Sequence, residues 1–244
     1  MSAPEVTLEV RDGVGEVVLN RPERKNAING PFGEHLAAAV RAANEDADVR
    51  VLLLRGAGGA FCSGLDLEAF SADPAPEWMP RWGEVWRAAH RSLFLSEKPI
   101  VGAMERYAIN GGAALAFACD LLVAGQRSFL QVGEVQIGMA APYNLAWLSL
   151  RHPEQVSARI ALLGDRINGA ELERLGIAHA CVEDERVLSE ARELACHLAT
   201  FPEAGLTRIK AGLRAGLSDS ADEWFDRFAA HAGVPVRPTS MKTR

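Results

Sequence analysis

The sequence is poor in the features that would assign it quickly. Its four cysteines, Cys62, Cys119, Cys181 and Cys196, form no Cys-x-x-Cys pair, and no histidine lies at zinc-ligand spacing from one. Neither a structural zinc site nor a redox dithiol is therefore expected, and the thiols read as reduced, mostly buried groups of a cytoplasmic protein with no metal. No apolar run reaches the roughly 18 residues that a membrane helix needs. The best candidate, residues 111–125, is broken by Asp120. Residues 1–20 carry Glu5, Glu9, Arg11, Asp12 and Glu16, so they lack the apolar stretch of a signal peptide. Lysine and arginine do not cluster and the net charge is -6, which argues against a nucleic-acid surface and for no membrane partner. Internal repeats and low-complexity tracts are also absent. An anionic small ligand stays compatible with this balance, because a few placed bases suffice for one.

What is present is a chain of 244 residues, 48% hydrophobic, long enough for one substantial core. Residues 6–10 and 15–19 alternate like strands around the hairpin chemistry of Arg11-Asp12-Gly13, and Asn20-Arg21-Pro22 reads as a turn. Apolar residues recur at helical spacing over 30–47, with Pro31 suited to the first turn. Val51-Leu52-Leu53-Leu54, residues 99–103 and residues 121–124 are short continuous apolar runs, as expected of strands buried on both faces. Residues 77–96 and 110–118 read as helices, 177–182 as a strand, and 185–199, 203–215 and 221–230 as closing helices. Strand and helix in alternation predict an α/β fold built from right-handed crossovers. The tail 233–244, with Pro235 and Pro238, is expected to be loosely held.

Two glycine-rich turns stand out: residues 56–66, which follow the run 51–55, and Asn110-Gly111-Gly112, assigned to the strand 99–103 and opening a helix. In open α/β folds ligands bind beyond the carboxyl ends of parallel strands. Glycine admits close backbone approach, and a helix N-terminus offers unpaired N–H groups at a positive dipole end. The first turn is no phosphate-binding Walker loop, since no Gly-Lys-Ser/Thr follows, and no dinucleotide fingerprint, since Phe61 stands where a third glycine would. On glycine content alone, tight connections and an oxygen-binding site remain alternatives.

The string Arg55-Gly56-Ala57-Gly58, Ala60-Phe61-Cys62-Ser63-Gly64, Asp66-Leu67 resembles the crotonase (enoyl-CoA hydratase/isomerase) superfamily. So do Leu19-Asn20-Arg21-Pro22 with Asn26-Ala27-Ile28, and Lys98-Pro99-Ile100-Val101-Gly102-Ala103. Asn110-Gly111-Gly112 with Leu115-Ala116 and Cys119-Asp120, and Ile167 with Ala170-Glu171 and Leu175-Gly176-Ile177, complete the set. The likeness runs in unbroken order over residues 5–215. It implies an α/β, crotonase-like ββα spiral core over 1–185 and a C-terminal helical trimerisation region over 186–244. It further implies an acyl-CoA partner, with coenzyme A part of the substrate and no separate cofactor, and a homotrimer or hexamer.

Residue by residue, the resemblance implies that the thioester oxygen accepts from the N–H groups of Ser63 and Gly111. Lys25, Ala27, Cys62, Gly64, Leu65 and Asp66 would contact coenzyme A, with Lys25 near phosphate. A nucleophilic Ser63 has no base supplied by any pattern. Hydratases carry two glutamates; the first position is Ala114 here, which cannot move a proton. The second matches Glu134, in a segment where Gly133 replaces the usual proline. A carboxyl beside an apolar acyl chain would have a raised pKa suited to acid–base work. Pro142-Tyr143-Asn144-Leu145 looks like the turn of the family's decarboxylase branch, in which a tyrosine places the departing carboxylate. Trp78, Trp82 and Trp86 recur every four residues and form one stripe, either plain packing or, with Ala114, an acyl-pocket wall. His90 continues the stripe as a buried, satisfied side chain. Lys210 reads as solvated or as reaching coenzyme A. The expected function is enolate chemistry on an acyl-CoA, isomerase-type rather than hydratase; the alternatives are a noncatalytic acyl-CoA binder and a decarboxylase.

Overall fold

The computed structural model describes residues 3–231, so the expected loose tail at 233–244 lies outside the described residues. It opens with the hairpin β1 (Val6–Arg11) and β2 (Val14–Leu19), paired from Val6 opposite Leu19 to Arg11 opposite Val14. Asp12 and Gly13 turn it with φ of 52° and 79°, as in the tight turns that match strand twist. After a 3-10 turn at Pro22–Arg24, α1 (Gly30–Glu45) begins where the Asn29 side chain accepts from the Phe32 N–H at 2.9 Å. There follow β3 (Val51–Gly56), the short α2 (Leu67–Phe70), α3 (Trp82–Phe94), β4 (Ile100–Met104), β5 (Tyr107–Ile109), α4 (Gly111–Ala118), β6 (Leu121–Gly125) and β7 (Phe129–Gln131). A 3-10 turn at Glu134–Ile137 leads to α5 (Pro142–Arg151), α6 (Glu154–Leu163), β8 (Arg166–Asn168), α7 (Gly169–Arg174) and β9 (Ala180–Val182). The described chain closes with α8 (Val187–Ala199), α9 (Glu203–Leu213) and α10 (Ala221–Ala229).

Among the described residues the strands form a six-stranded sheet, β1-β2-β3-β4-β6-β9, and a three-stranded sheet, β5-β7-β8. From β2 onward the large sheet is parallel. The continuous apolar runs are explained by burial on both faces. Leu52, Leu54, Ile100, Met104 and Leu122 face a core shared with α1, α3 and α4. Val51, Leu53, Val101, Ala103 and Val123 face the other way, onto Val187, Ala191, Ala195 and Ala199 of α8. Helix α8 thus lies past the division expected at residue 185, yet it seals one face of the main sheet. Helix α10 packs against α5 and α3.

One placement differs from the sequence reading. The second glycine-rich turn does not follow β4; the chain first makes β5, in the small sheet, and α4 starts from there. Three residues are too few to show a period-2 pattern, so β5 carries no signal of its own.

Candidate active site

The two turns are stitched side by side. The segment 62–66 runs between 26–28 and 107–109, with Cys62 bridged to Ala108 and Leu65 bridged to Ile28. The Cys62 N–H donates to Tyr107 O and the Ile109 N–H to Cys62 O, both at 3.1 Å. On the other edge the Ile28 N–H donates to Gly64 O at 2.8 Å and the Asp66 N–H to Ile28 O at 2.9 Å. Gly64 has φ +92°, and a Cβ there would stand 3.0 Å from Ile109 O. A Cβ on Gly112 would stand 2.6 Å from Cys62 O. Glycine at these two positions is what lets one turn lie directly on the other.

Backbone donors are concentrated where the turns meet. Gly111, Gly112 and Ala113 form the first turn of α4, and among the described residues their N–H groups have no acceptor. On the facing turn the expected donor needs correction. The Ser63 N–H is taken by Lys25 O at 3.1 Å. On that turn the N–H groups of Gly64 and Leu65 have no backbone acceptor among the described residues. In a parallel bridge the bonds to Ile28 come from the neighbours of Leu65, so the N–H of Leu65 itself points to the opposite edge, on the side of residues 109–111.

Glu134 lies beside these donors. Asn144 Nδ2 donates to Asn110 O at 3.2 Å and to Glu134 Oε1 at 3.0 Å, so one amide group separates the carboxyl from the residue preceding Gly111. Asn110 Oδ1 accepts from the Gly133 N–H at 2.8 Å, which ties the backbone before Glu134 to the same turn. Glu134 Oε2 is buried and has no partner among the described residues. Burial pushes the Glu134 carboxyl up from its ordinary 4.5 to about 7, against the lowering effect of hydrogen bonds from backbone and Asn144. Ala114 is fully buried in α4.

An aromatic wall runs away from the donors. A Cβ on Gly111 would stand 3.6 Å from a ring carbon of Trp86. Trp82 stacks on Trp86 with ring centroids 5.5 Å apart, and Phe70 and Trp78 extend the wall outward. Inward, Trp86 meets His90 edge-on at 4.5 Å, and His90 stacks on Tyr143 at 4.4 Å, with Phe225 of α10 behind Tyr143 at 5.6 Å. The stripe from α3 is therefore buried core at Trp86 and His90, with Trp82 partly buried against it. His90 is buried as expected but only half satisfied: Nδ1 accepts from Trp147 Nε1 at 2.9 Å, while Nε2 has no partner among the described residues. Burial pushes its pKa down to about 3, which keeps the ring neutral.

The remaining expected site residues divide into exposed and structural ones. Lys25 is exposed, with φ 55° at the end of the first 3-10 turn. Ala27 is buried beside it, and its carbonyl accepts from Arg21. Asp66 does not present its carboxylate outward: it pairs with Arg21 at 2.9 Å and caps α2 through the Ala69 N–H at 3.2 Å. Cys62 is fully buried, its Sγ donates to Asn26 O at 3.1 Å, and burial pushes the thiol up to about 12, which removes it as a nucleophile. Lys210 is corrected as well. It is buried, 2.9 Å from Asp120 and donating to Lys98 O at 2.7 Å, so it neither floats in solvent nor reaches a ligand. Sequence reasoning missed Asn144 and Asn110 as the polar links of this site. The available signal was an amide in the otherwise apolar face of α5, whose other buried residues are Ala146, Trp147 and Leu148.

Among the described residues no group of three or more His, Cys, Asp or Glu side chains is placed to hold a metal ion, and no helix is long and apolar enough to cross a membrane. Residues 9–230 match the family model described as enoyl-CoA hydratase/isomerase. The 1,2-epoxyphenylacetyl-CoA isomerase of Escherichia coli (strain K12) is 31% identical over 221 residues, covering 89% of this chain and 84% of that protein. The carnitinyl-CoA dehydratase of Proteus mirabilis (strain HI4320) is 30% identical over 220 residues, covering 89% and 83%. The solved structure of a carnitinyl-CoA dehydratase from Mycobacterium avium 104 superposes with a TM-score of 0.81 at 29% identity, covering 94% of this chain and 91% of that one.

Proposed function

Because this chain belongs to the enoyl-CoA hydratase/isomerase family, with its crotonase fold, we propose that Glu134 moves a proton at the acyl carbons of a bound acyl-CoA thioester. The N–H groups of Leu65 and Gly111 receive the thioester oxygen. The observation that carries this reading is the position of Glu134: a buried carboxyl with a pKa near 7, one amide away from an unpaired helix N-terminus.

The chemistry follows from that arrangement. Near neutral pH the ionised half of the Glu134 population takes a proton from the carbon next to the thioester. The electron pair moves onto the thioester oxygen, where the two N–H groups meet the developing charge; such donors contribute about 3–4 kcal/mol each in comparable sites. The same carboxyl returns the proton two carbons further along, which shifts a 3,4 double bond into conjugation at 2,3. One carboxyl suffices for that shuttle. Adding water to a 2-enoyl thioester calls for a second proton-handling group, and Ala114 supplies none. Isomerase-type chemistry is therefore favoured over hydration.

Lys25, exposed at the edge of the donor turn, suits the phosphates of coenzyme A. Trp82, Trp86 and Tyr143 suit a bulky or aromatic acyl group, in keeping with the aromatic acyl-CoA named for the Escherichia coli relative. Assembly into trimers or hexamers and a cytoplasmic location belong to the same proposal; light scattering of the purified protein tests the first.

The test supplies 3-enoyl-CoA and crotonyl-CoA to wild type and to Glu134→Gln. Wild type should isomerise the first and hydrate the second weakly or not at all; the variant should do neither while retaining acyl-CoA affinity. Hydration at the rate of isomerisation contradicts the preference. Tight binding with no conversion across a panel of acyl-CoA esters favours a binding protein instead.

A further inference from the structure

The amide of Asn144 commits both of its donor hydrogens, while its Oδ1 is buried with no partner among the described residues. Its two Nδ2 hydrogens go to different partners, Asn110 O at 3.2 Å and Glu134 Oε1 at 3.0 Å. The side chain is 2% exposed, so these bonds are shielded from water. The orientation of the amide is determined by its surroundings: turned over, Oδ1 would confront two acceptors, a carbonyl oxygen and a carboxyl oxygen. Asn110 in turn accepts from the Gly133 N–H through Oδ1 and from the Ala114 N–H through its carbonyl, at 2.8 and 3.1 Å. Its φ of 50° and ψ of -111° are unusual for a residue with a side chain, so the bonds around it hold a conformation that the free chain would avoid.

Two consequences follow for Glu134. Its backbone is fixed through Gly133 and its side chain through Asn144, and both ties end on the one residue that opens the donor helix. The two carboxyl oxygens also become inequivalent. Oε1 is occupied by the amide, whereas Oε2 is buried with no partner among the described residues.

We propose that Asn144 is the positioning residue of this site: it locks the Glu134 carboxyl to the oxygen-binding turn and leaves Oε2 as the atom that exchanges the proton with substrate. The proposal rests on the reading of Glu134 as the proton carrier. The proton leaves the acyl carbon for Oε2 and returns from Oε2, so nothing else is consumed. Asn144 touches no reacting atom and acts through Glu134. No charged side chain contributes to the raised pKa of Glu134; burial raises it, and the hydrogen bonds from backbone and Asn144 oppose that rise. The first turn of α4 offers no titratable group, and on α5 Tyr143 adjoins Asn144, its phenol also pushed up by burial.

The experiment measures exchange of the α-protons of phenylacetyl-CoA in deuterated water by mass spectrometry, for wild type, Asn144→Leu and Glu134→Gln, together with an NMR titration of the Glu134 carboxyl. In Asn144→Leu we expect kcat for exchange to fall at least tenfold with KM within twofold. The Glu134 midpoint should rise by half a pH unit or more, because the lost bond favours the ionised form. Wild-type kcat and midpoint in Asn144→Leu overturn the proposal. If that variant fails to fold, the wild-type protein decides: the Asn144 side-chain amide resonance should titrate with the midpoint of Glu134 and stop titrating in Glu134→Gln, and an amide resonance that ignores Glu134 overturns it. The two readings fail separately. Wild-type exchange by Glu134→Gln refutes Glu134 as carrier, whereas an inactive Glu134→Gln beside an unimpaired Asn144→Leu refutes positioning alone.

Discussion

Asp120 and Glu134 are both carboxyls sunk into the fold, and the structure treats them oppositely. Asp120, at the start of β6, receives Lys210 at 2.9 Å, the Ile100 N–H at 2.8 Å and Arg151 at 3.0 Å. Glu134 receives one side-chain amide and no cation. Burial pushes both upward; at Asp120 the neighbouring Lys210 and Arg151 outweigh it and hold the carboxyl below its ordinary value, whereas at Glu134 burial prevails. One carboxyl is a permanent charge that ties α9 to the core. The other is poised to lose or gain a proton near neutrality. Depth does not separate these two acids; the presence of a compensating cation does.

The contrast is broken most forcefully by removing each charge in turn. Asp120→Leu leaves Lys210 and Arg151 buried without their counter-charge, and should cost about 3–5 kcal/mol in urea unfolding at pH 7. A loss below about 1 kcal/mol would show that the pair is not needed. Glu134→Gln should have the opposite sign. Its folded pKa lies above its unfolded one, so between about pH 4.5 and 7 the folded state holds a proton that the unfolded state has lost. Native stability from this group is therefore complete below that window and declines as pH rises through it. Relative to wild type, the glutamine variant should gain about 3 kcal/mol between pH 4 and pH 8, from roughly 1.4 kcal/mol per pKa unit. A difference that stays constant with pH contradicts the raised pKa. The smallest effect belongs to the donors: Gly112→Ala places a Cβ 2.6 Å from Cys62 O, spreads the turns and should weaken binding of butyryl-CoA about tenfold, or about 1.4 kcal/mol. Unchanged calorimetric affinity would mean that the turns tolerate separation.

The same comparison explains what could be read from the amino-acid order. Strands β3, β4 and β6 were legible because burial on both faces leaves an uninterrupted apolar run, and α1 because its buried face recurs at 3.6 residues. The three-residue strands β5, β7 and β8 are held by pairing partners rather than by composition, so they left no trace. The unpaired N–H of Gly111 is legible because its motif opens a helix. That the Ser63 N–H is taken by Lys25 O is invisible in the sequence, because the direction of an N–H is a property of strand pairing. Glu134 is marked in the sequence by its spacing from Gly138. Its link to Asn110 through Asn144 joins residues 34 apart, which only the fold brings together. For Lys210, expected to be solvated or to reach coenzyme A, burial is invisible in the sequence because its partner, Asp120, lies far away in the chain.

We propose that Glu134 moves a proton beneath the N–H groups of Leu65 and Gly111. Exchange of the α-protons of phenylacetyl-CoA in deuterated water, followed against pH, tests that most directly, because it needs no knowledge of the natural acyl group. Wild type should exchange with a midpoint near pH 7, and Glu134→Gln should lose about 10²–10⁴-fold of the rate at undiminished acyl-CoA affinity. Exchange by the glutamine variant at the wild-type rate would contradict the account.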